Sequence, residues 1–336
     1  MFSEKSIINQ SIGKSSSYTG PVKLYLPTSP PNKFHAILGL DEKNQILRPT
    51  NSFLEDPNFV NNSFHGRNEY DKVQTIFTRL ESTYSFMKGN TPTLVIEQPM
   101  FLLVNPFSST NIGHDLSILF HRIVAYRSQK LTIPVVIGDV TMQIPRAYEI
   151  LQLLLPDTTF YTLPSDTYVL FKKLHVTENC VFDIQKHGEI IQEIIEKATA
   201  KVTDIEKYKN KKVFLVKSNF HKNVVSKWSM FQTDKVIPIL EEKYDYICIN
   251  PEIMNMYEII SYVYFAKKIV TSFGAILYAH AIFFGKQAKL YYLQNDSHKP
   301  YWGENQYVYV KIPLDLNSNI EKLIQGIGED IHLLSK

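Results

Sequence analysis

Between Val213 and Leu293 four β-rich segments alternate with three helix-patterned ones, and few architectures accept that order. The strand-like segments are Val213–Val216, Tyr246–Ile249, Lys268–Thr271 and Ala288–Leu293. The helical ones are Asp234–Glu242, Asn255–Ala266 and Ala275–Phe284. Strands separated by helices pair in parallel through right-handed crossovers, which gathers their loops at the carboxyl edge of the sheet. Ligands of open α/β sheets bind in that crevice. The loop Thr271-Ser272-Phe273-Gly274-Ala275 opens the last of these helices with small residues, and free backbone N–H groups at a helix start suit a pyrophosphate.

Upstream the pattern is looser but of the same kind. Thr93–Ile96 and Phe101–Val104 read as strands, and a helix begins at Asn111 with Leu116, Leu119, Phe120, Ile123 and Val124 at helical spacing. A strand over Ile133–Asp139 and a helix over Arg146–Leu155, ended by Pro156, form a βα repeat. A strand near Thr167–Leu170 and a β-ribbon around Val176–Ile184 complete a first domain. At 336 residues the chain exceeds the size at which one core usually stops growing, so two domains are expected. We read residues 1–20 as a flexible arm, 21–187 as an amino-terminal domain, and 188–210 as a connecting amphipathic helix. A nucleotide-binding domain follows over 211–317, and a terminal helix over 318–336. Residues 27–70, rich in Pro, Asn and Ser, read as loops and a few edge strands.

Hydrophobic residues make up 44% of the chain and charged residues 21%, which predicts filled cores rather than disorder. The net charge of +3, without a long Lys/Arg block, gives no electrostatic footprint for nucleic acid. Cys180 and Cys248 lie far apart in apolar segments and read as buried free thiols rather than a disulfide or a zinc site. No run of about 18 apolar residues and no apolar leader is present, so the expectation is a cytoplasmic protein without a membrane span.

Several motifs fail on spacing. Gly13-Lys14-Ser15 lacks the earlier glycine of a P-loop, Gly326 and Gly328 lack the third glycine of a dinucleotide fingerprint, and no Asp-x-Asp metal grip occurs. His114 and His121 are too far apart for an i, i+4 zinc pair, and no metal ligand set is expected.

Two constellations survive. Asn111-Ile112-Gly113-His114-Asp115 starts a helix, where Asn111 can cap and Asp115 sits in the positive first turn. It reads either as a plain cap with a surface pair or as an imidazole and carboxylate placed for general-base work. In the second domain Lys217-Ser218-Asn219, Asn250-Pro251-Glu252 and Ser272 to Ala275 end three successive strands, which puts all three groups on one sheet edge. Polar residues end most strands, so the ordinary reading is loop chemistry. The functional one is a diphosphate held by Lys217 near a helix N-terminus.

The ordered set Lys217 to Lys222, Pro251-Glu252, Tyr257-Glu258, Ala266 to Val270 and Ser272 to Ala275 resembles the carboxyl half of glycosyltransferase family 61. Asn111-Ile112-Gly113-His114 is similar to that family's Asn-x-Gly-His. The resemblance spans roughly Asn105 to Leu293. It departs at Phe273, where the family usually has His, at Lys217, where it has Arg, and around Ile276, where it has Gly or Leu. It implies an α/β fold of GT-B type, two Rossmann-like domains facing a central cleft, and inverting transfer of a sugar from a UDP- or GDP-sugar to an oligosaccharide or glycoprotein acceptor.

On that reading Asp115 or His114 is the base; the carboxylate is the commoner base for inverting transfer, and the resemblance favours the histidine. Lys217, Ser218, Asn219, Asn250, Glu252, Glu258, Ser272, Phe273, Gly274 and Ala275 surround the donor, with Asn111 and Gly113 on the acceptor side. No tightly bound cofactor is required, and a divalent cation on the donor is optional. The competing expectation is a non-catalytic binding relative of the same fold, for which Phe273 speaks.

Overall fold

The computed structural model describes residues 18–26, 38–44, 46–47, 82–103, 112–138, 145–164, 166–177, 188–216, 233–251, 253–272, 280–285, 288–294 and 309–313. The chain divides into two compact units, Met1–Asp183 and Ile184–Lys336. Both are α/β. The expected β-ribbon after Thr177 and the terminal helix over 318–334 lie outside the described residues.

Unit 1 is built on β1 (Tyr18–Leu26), β2 (Leu38–Leu40), β3 (Ile46–Leu47), β4 (Leu94–Ile96), β5 (Met100–Leu102), β6 (Val135–Gly138), β7 (Phe160–Leu163) and β8 (Thr167–Val176). Its helices are α1 (residues 82–89), α2 (Ile112–Ser128) and α3 (Pro145–Leu154). The sheet order is β3-β2-β1-β8-β5-β6-β7, with β4 also beside β8. Strands β8, β5, β6 and β7 run parallel, whereas β1, β2 and β3 add an antiparallel wing. The sheet is therefore mixed, not the uniformly wound one that alternation alone suggests.

Local chemistry explains its irregularities. Ile96 pairs Phe171 and Met100 pairs Leu174, so the β4–β5 side advances four residues while β8 advances three. The extra residue falls in the break between the two strands, residues 97–99, where Pro99 has no N–H to donate. A second register break falls between Gly20 and Val22 of β1, around Pro21. There a Cβ on Gly20 would come within 2.6 Å of the Tyr18 hydroxyl. β1 begins at Tyr18, three residues inside the segment read as an arm.

The path β5–α2–β6–α3–β7 steps along the sheet in one direction, so right-handed crossovers leave α2 and α3 on the same face, where they touch. Leu119, Phe120, Ile123 and Tyr126 of α2 are buried, as the helical spacing predicts for the first three. Only residues 164–166 join β7 to β8, a reach of about 14 Å. The sheet therefore coils, and Leu163 shares a buried cluster with Leu24 of β1 and Val169 of β8. Burying such a side chain contributes about 1.5–3 kcal/mol.

Unit 2 holds α4 (Gly188–Thr199), β9 (Lys212–Leu215), α5 (Thr233–Tyr244), β10 (Tyr246–Ile249), α6 (Met256–Phe265), β11 (Lys268–Ser272), β12 (Lys289–Gln294) and β13 (Tyr309–Pro313). All five strands are parallel, in the order β10-β9-β11-β12-β13. The four expected strands are present, with the first two expected helices between them, and β13 adds a strand that the sequence pattern did not reveal. The connecting helix is shorter than expected. Ile190, Ile191, Ile194, Ile195 and Ala198 are buried as predicted, but α4 stops at Thr199, whose hydroxyl donates to the Ile195 carbonyl at 2.8 Å. Beyond it Asp204 caps a separate 3-10 turn, Ile205–Lys207. Past β11, residues 273–279 lie outside the described residues; near the end of the helix expected over Ala275–Phe284 the structure describes a 3-10 turn, Ala281–Phe283.

Candidate functional site

In unit 2 the strand order sets the geometry. The chain leaves β9 for β10 on one side, then crosses back through α6 to β11 on the other. Strand order reverses at β9, and the neighbouring carboxyl ends of β9 and β11 form the switch point where ligands of doubly wound sheets bind. Leu215 pairs Ile249 on one flank and Thr271 on the other, so the ends of β10, β9 and β11 lie level. The ladder runs one residue further, because the Val216 N–H donates to the Ile249 carbonyl at 2.8 Å. Lys217 follows directly in the chain.

The strands that precede the three predicted groups therefore end at one edge of one sheet. Of their members, Ser272 is the last residue of β11, and Asn250 is the half-buried residue after β10. Lys217, Ser218, Asn219, Glu252, Phe273, Gly274 and Ala275 lie outside the described residues.

The segment after β10 is held at both ends. The Ile253 N–H donates to the Asn250 carbonyl at 3.2 Å, which closes a turn over buried Pro251. Asn255 caps α6, accepting the Glu258 N–H at 2.9 Å and donating its amide to Glu258 Oε2 at 2.8 Å. Glu258, expected near the donor, is thus engaged within this cap. Ile253 was passed over in the sequence. Nothing in an isolated isoleucine signals its 83% exposure.

In unit 1, Gly113, His114 and Asp115 occupy the first turn of α2, which follows the carboxyl end of β5. Asn111 lies outside the described residues. Arg122, also passed over, stands seven residues after Asp115, two turns along the same face of α2. It is buried at 1% exposure, and desolvation holds its guanidinium down to about 9, low for an arginine but charged at neutral pH.

Cys248 on β10 is a free thiol but half-buried rather than buried as expected; what burial it has, reinforced by nearby Glu241, pushes its thiol up to about 12. That thiol is a poor nucleophile or metal ligand at neutral pH. Among the described residues no group of three His, Cys, Asp or Glu side chains could hold a metal ion, and no helix is long and apolar enough to cross a membrane. No family model matches this sequence, and no curated protein matches it.

Proposed function

We propose that this chain is an inverting glycosyltransferase of GT-B type. It would bind the diphosphate of a UDP- or GDP-sugar at the carboxyl edge of unit 2 and take its oligosaccharide or glycoprotein acceptor on unit 1. The observation that carries this reading is the reversal of strand order at β9, with the ends of β10 and β11 level on either side. Such an edge collects loop N–H groups and a strand-end cation where an anionic ligand is stabilised.

On this reading Lys217 and the N–H groups of Gly274 and Ala275 hold the diphosphate, with Ser272 assisting. Asn250 and Glu252 bracket the nucleoside. A base, Asp115 or His114, removes the proton from an acceptor hydroxyl as that oxygen attacks the anomeric carbon, and the nucleoside diphosphate departs from the opposite face. Charge stabilisation of the departing diphosphate and orientation of the acceptor supply most of the acceleration.

The test is calorimetric titration of the full chain with UDP and GDP, followed by turnover of a panel of UDP- and GDP-sugars. One of the two diphosphates should bind, Lys217→Ala should weaken it at least tenfold, and its sugar conjugate should turn over. Failure of both to bind overturns the reading. Binding without turnover of any donor selects a non-catalytic relative, which Phe273 in place of the family's histidine favours.

A further inference from the structure

Ile253 is the most exposed large apolar side chain among the described residues, at 83% against 46% for the next, Val95. Single exposed apolar residues are common, and exposure alone argues little. What distinguishes Ile253 is that it is exposed between a hydrogen-bonded turn and a helix cap. The turn closed by the Asn250 carbonyl lies on one side of it, buried Pro251 anchors that turn, and the Asn255 cap of α6 begins two residues later.

The side chain stands in water between these two anchors. Its place in the topology gives it an occupant. The loop leaves β10, one strand from β9 and two strands, about 10 Å, from the end of β11. A nucleoside diphosphate whose phosphates sit at the β9/β11 switch extends about that far to its base.

We infer that Ile253 is an affinity-determining residue for the nucleobase of the donor, covering one face of the base ring; this rests on the nucleotide reading above. An isoleucine suits that role because a base presents an apolar face that gains from dehydration. A residue held between a closed turn and a helix cap also has less backbone entropy to lose when the contact forms. Charge plays no part in such a contact, so it adds nothing to the binding of phosphate groups.

The experiment compares UDP, GDP and inorganic pyrophosphate by calorimetry on the full chain and on Ile253→Ser and Ile253→Leu. The serine variant should bind the preferred nucleoside diphosphate about five- to tenfold more weakly. Its pyrophosphate affinity and melting temperature should match the wild type, and the leucine variant should keep the affinity. An unchanged nucleoside diphosphate affinity in Ile253→Ser overturns the inference while leaving the nucleotide reading intact. Equal losses for nucleotide and pyrophosphate overturn it too. Absence of any nucleotide binding by the wild type removes both.

Discussion

Asn255 and Glu258 grip each other across the first turn of α6, each supplying one hydrogen bond of a reciprocal cap. The cap satisfies a backbone donor at the helix start and places a carboxylate at the positive end of the helix dipole. With its own carboxylate there, α6 is a poor place for a phosphate, which concentrates the expected anion site at the β9 and β11 ends.

Asn255→Ala should therefore cost about 1 kcal/mol of unfolding free energy, read by urea denaturation, and Glu258→Ala somewhat less. Neither should change nucleotide affinity by more than about twofold. If Glu258→Ala instead abolished nucleotide binding at wild-type stability, Glu258 would be a ligand contact and the cap incidental.

His175 supplies a pH dependence of known sign. It sits half-buried on β8, with Nδ1 3.2 Å from the Thr19 hydroxyl across the β1 ladder. Burial, and secondarily the neighbouring charge of Lys173, holds its pKa below the usual 6.5. Between the lowered folded value and 6.5 the unfolded chain binds the proton and the folded one does not. This contribution to stability is present above pH 6.5 and is lost as pH falls through the folded pKa. The melting temperature should fall on acidification below pH 6.5, and His175→Gln should flatten that slope. Parallel slopes for the two proteins would show that other groups govern the acid limb.

Much of unit 2 was legible because its strands are short apolar runs between amphipathic helices, a pattern that parallel pairing requires. Tyr246–Ile249 appears with its predicted bounds, and the helix read over Asn255–Ala266 spans Met256–Phe265. What escaped is equally physical. β13 reads Tyr-Val-Lys-Ile-Pro, as long as the strands that were legible, but no helix-patterned segment separates it in the sequence from β12, so the alternation did not point to it. In β1 the Gly20-Pro21 pair carries the signature of a breaker, yet a bulge absorbs it in an antiparallel ladder that sequence alone does not show.

The face of α4 was read correctly and its end was not. Periodicity continued past Thr199, whereas the backbone closes in a tighter turn, the Lys201 N–H donating to the Ala198 carbonyl at 3.0 Å, which hydrophobic spacing does not signal. At the site, residue types marked the strand ends. Ile253 and Arg122 carry their information in exposure and burial, which only the folded chain defines.

Cys248 offers a direct check on the packing of β10. A thiol held up near 12 by burial and by Glu241 is almost wholly protonated at pH 8. Native protein treated with iodoacetamide at that pH should leave Cys248 unmodified by mass spectrometry, and protein in urea should label it readily. The same shift makes the folded state lose stability as pH climbs from the unfolded thiol value toward 12, because the unfolded chain releases the proton first. Rapid native labelling would mean that the edge strand opens locally.

The Tyr168 hydroxyl donates to the Met87 carbonyl at 2.9 Å within a buried cluster that also holds Leu40 and Tyr84. This bond ties α1 to the start of β8 over 81 residues of chain. Tyr25 and Phe86 close over it, with ring centroids 4.6 Å apart. Two effects are separable here. Tyr168→Phe keeps the ring and leaves a buried carbonyl without its donor, at a cost of about 1–3 kcal/mol. Tyr168→Ala also removes the ring and should cost about 3–5 kcal/mol.

If the hydrogen bond is what secures α1, limited proteolysis of Tyr168→Phe should cut near residues 82–89 faster than in the wild type. Cleavage elsewhere should be unchanged, because α1 would then open ahead of global unfolding. Equal cutting at every site would show instead that α1 is retained by the packing of Tyr84 and Met87 alone.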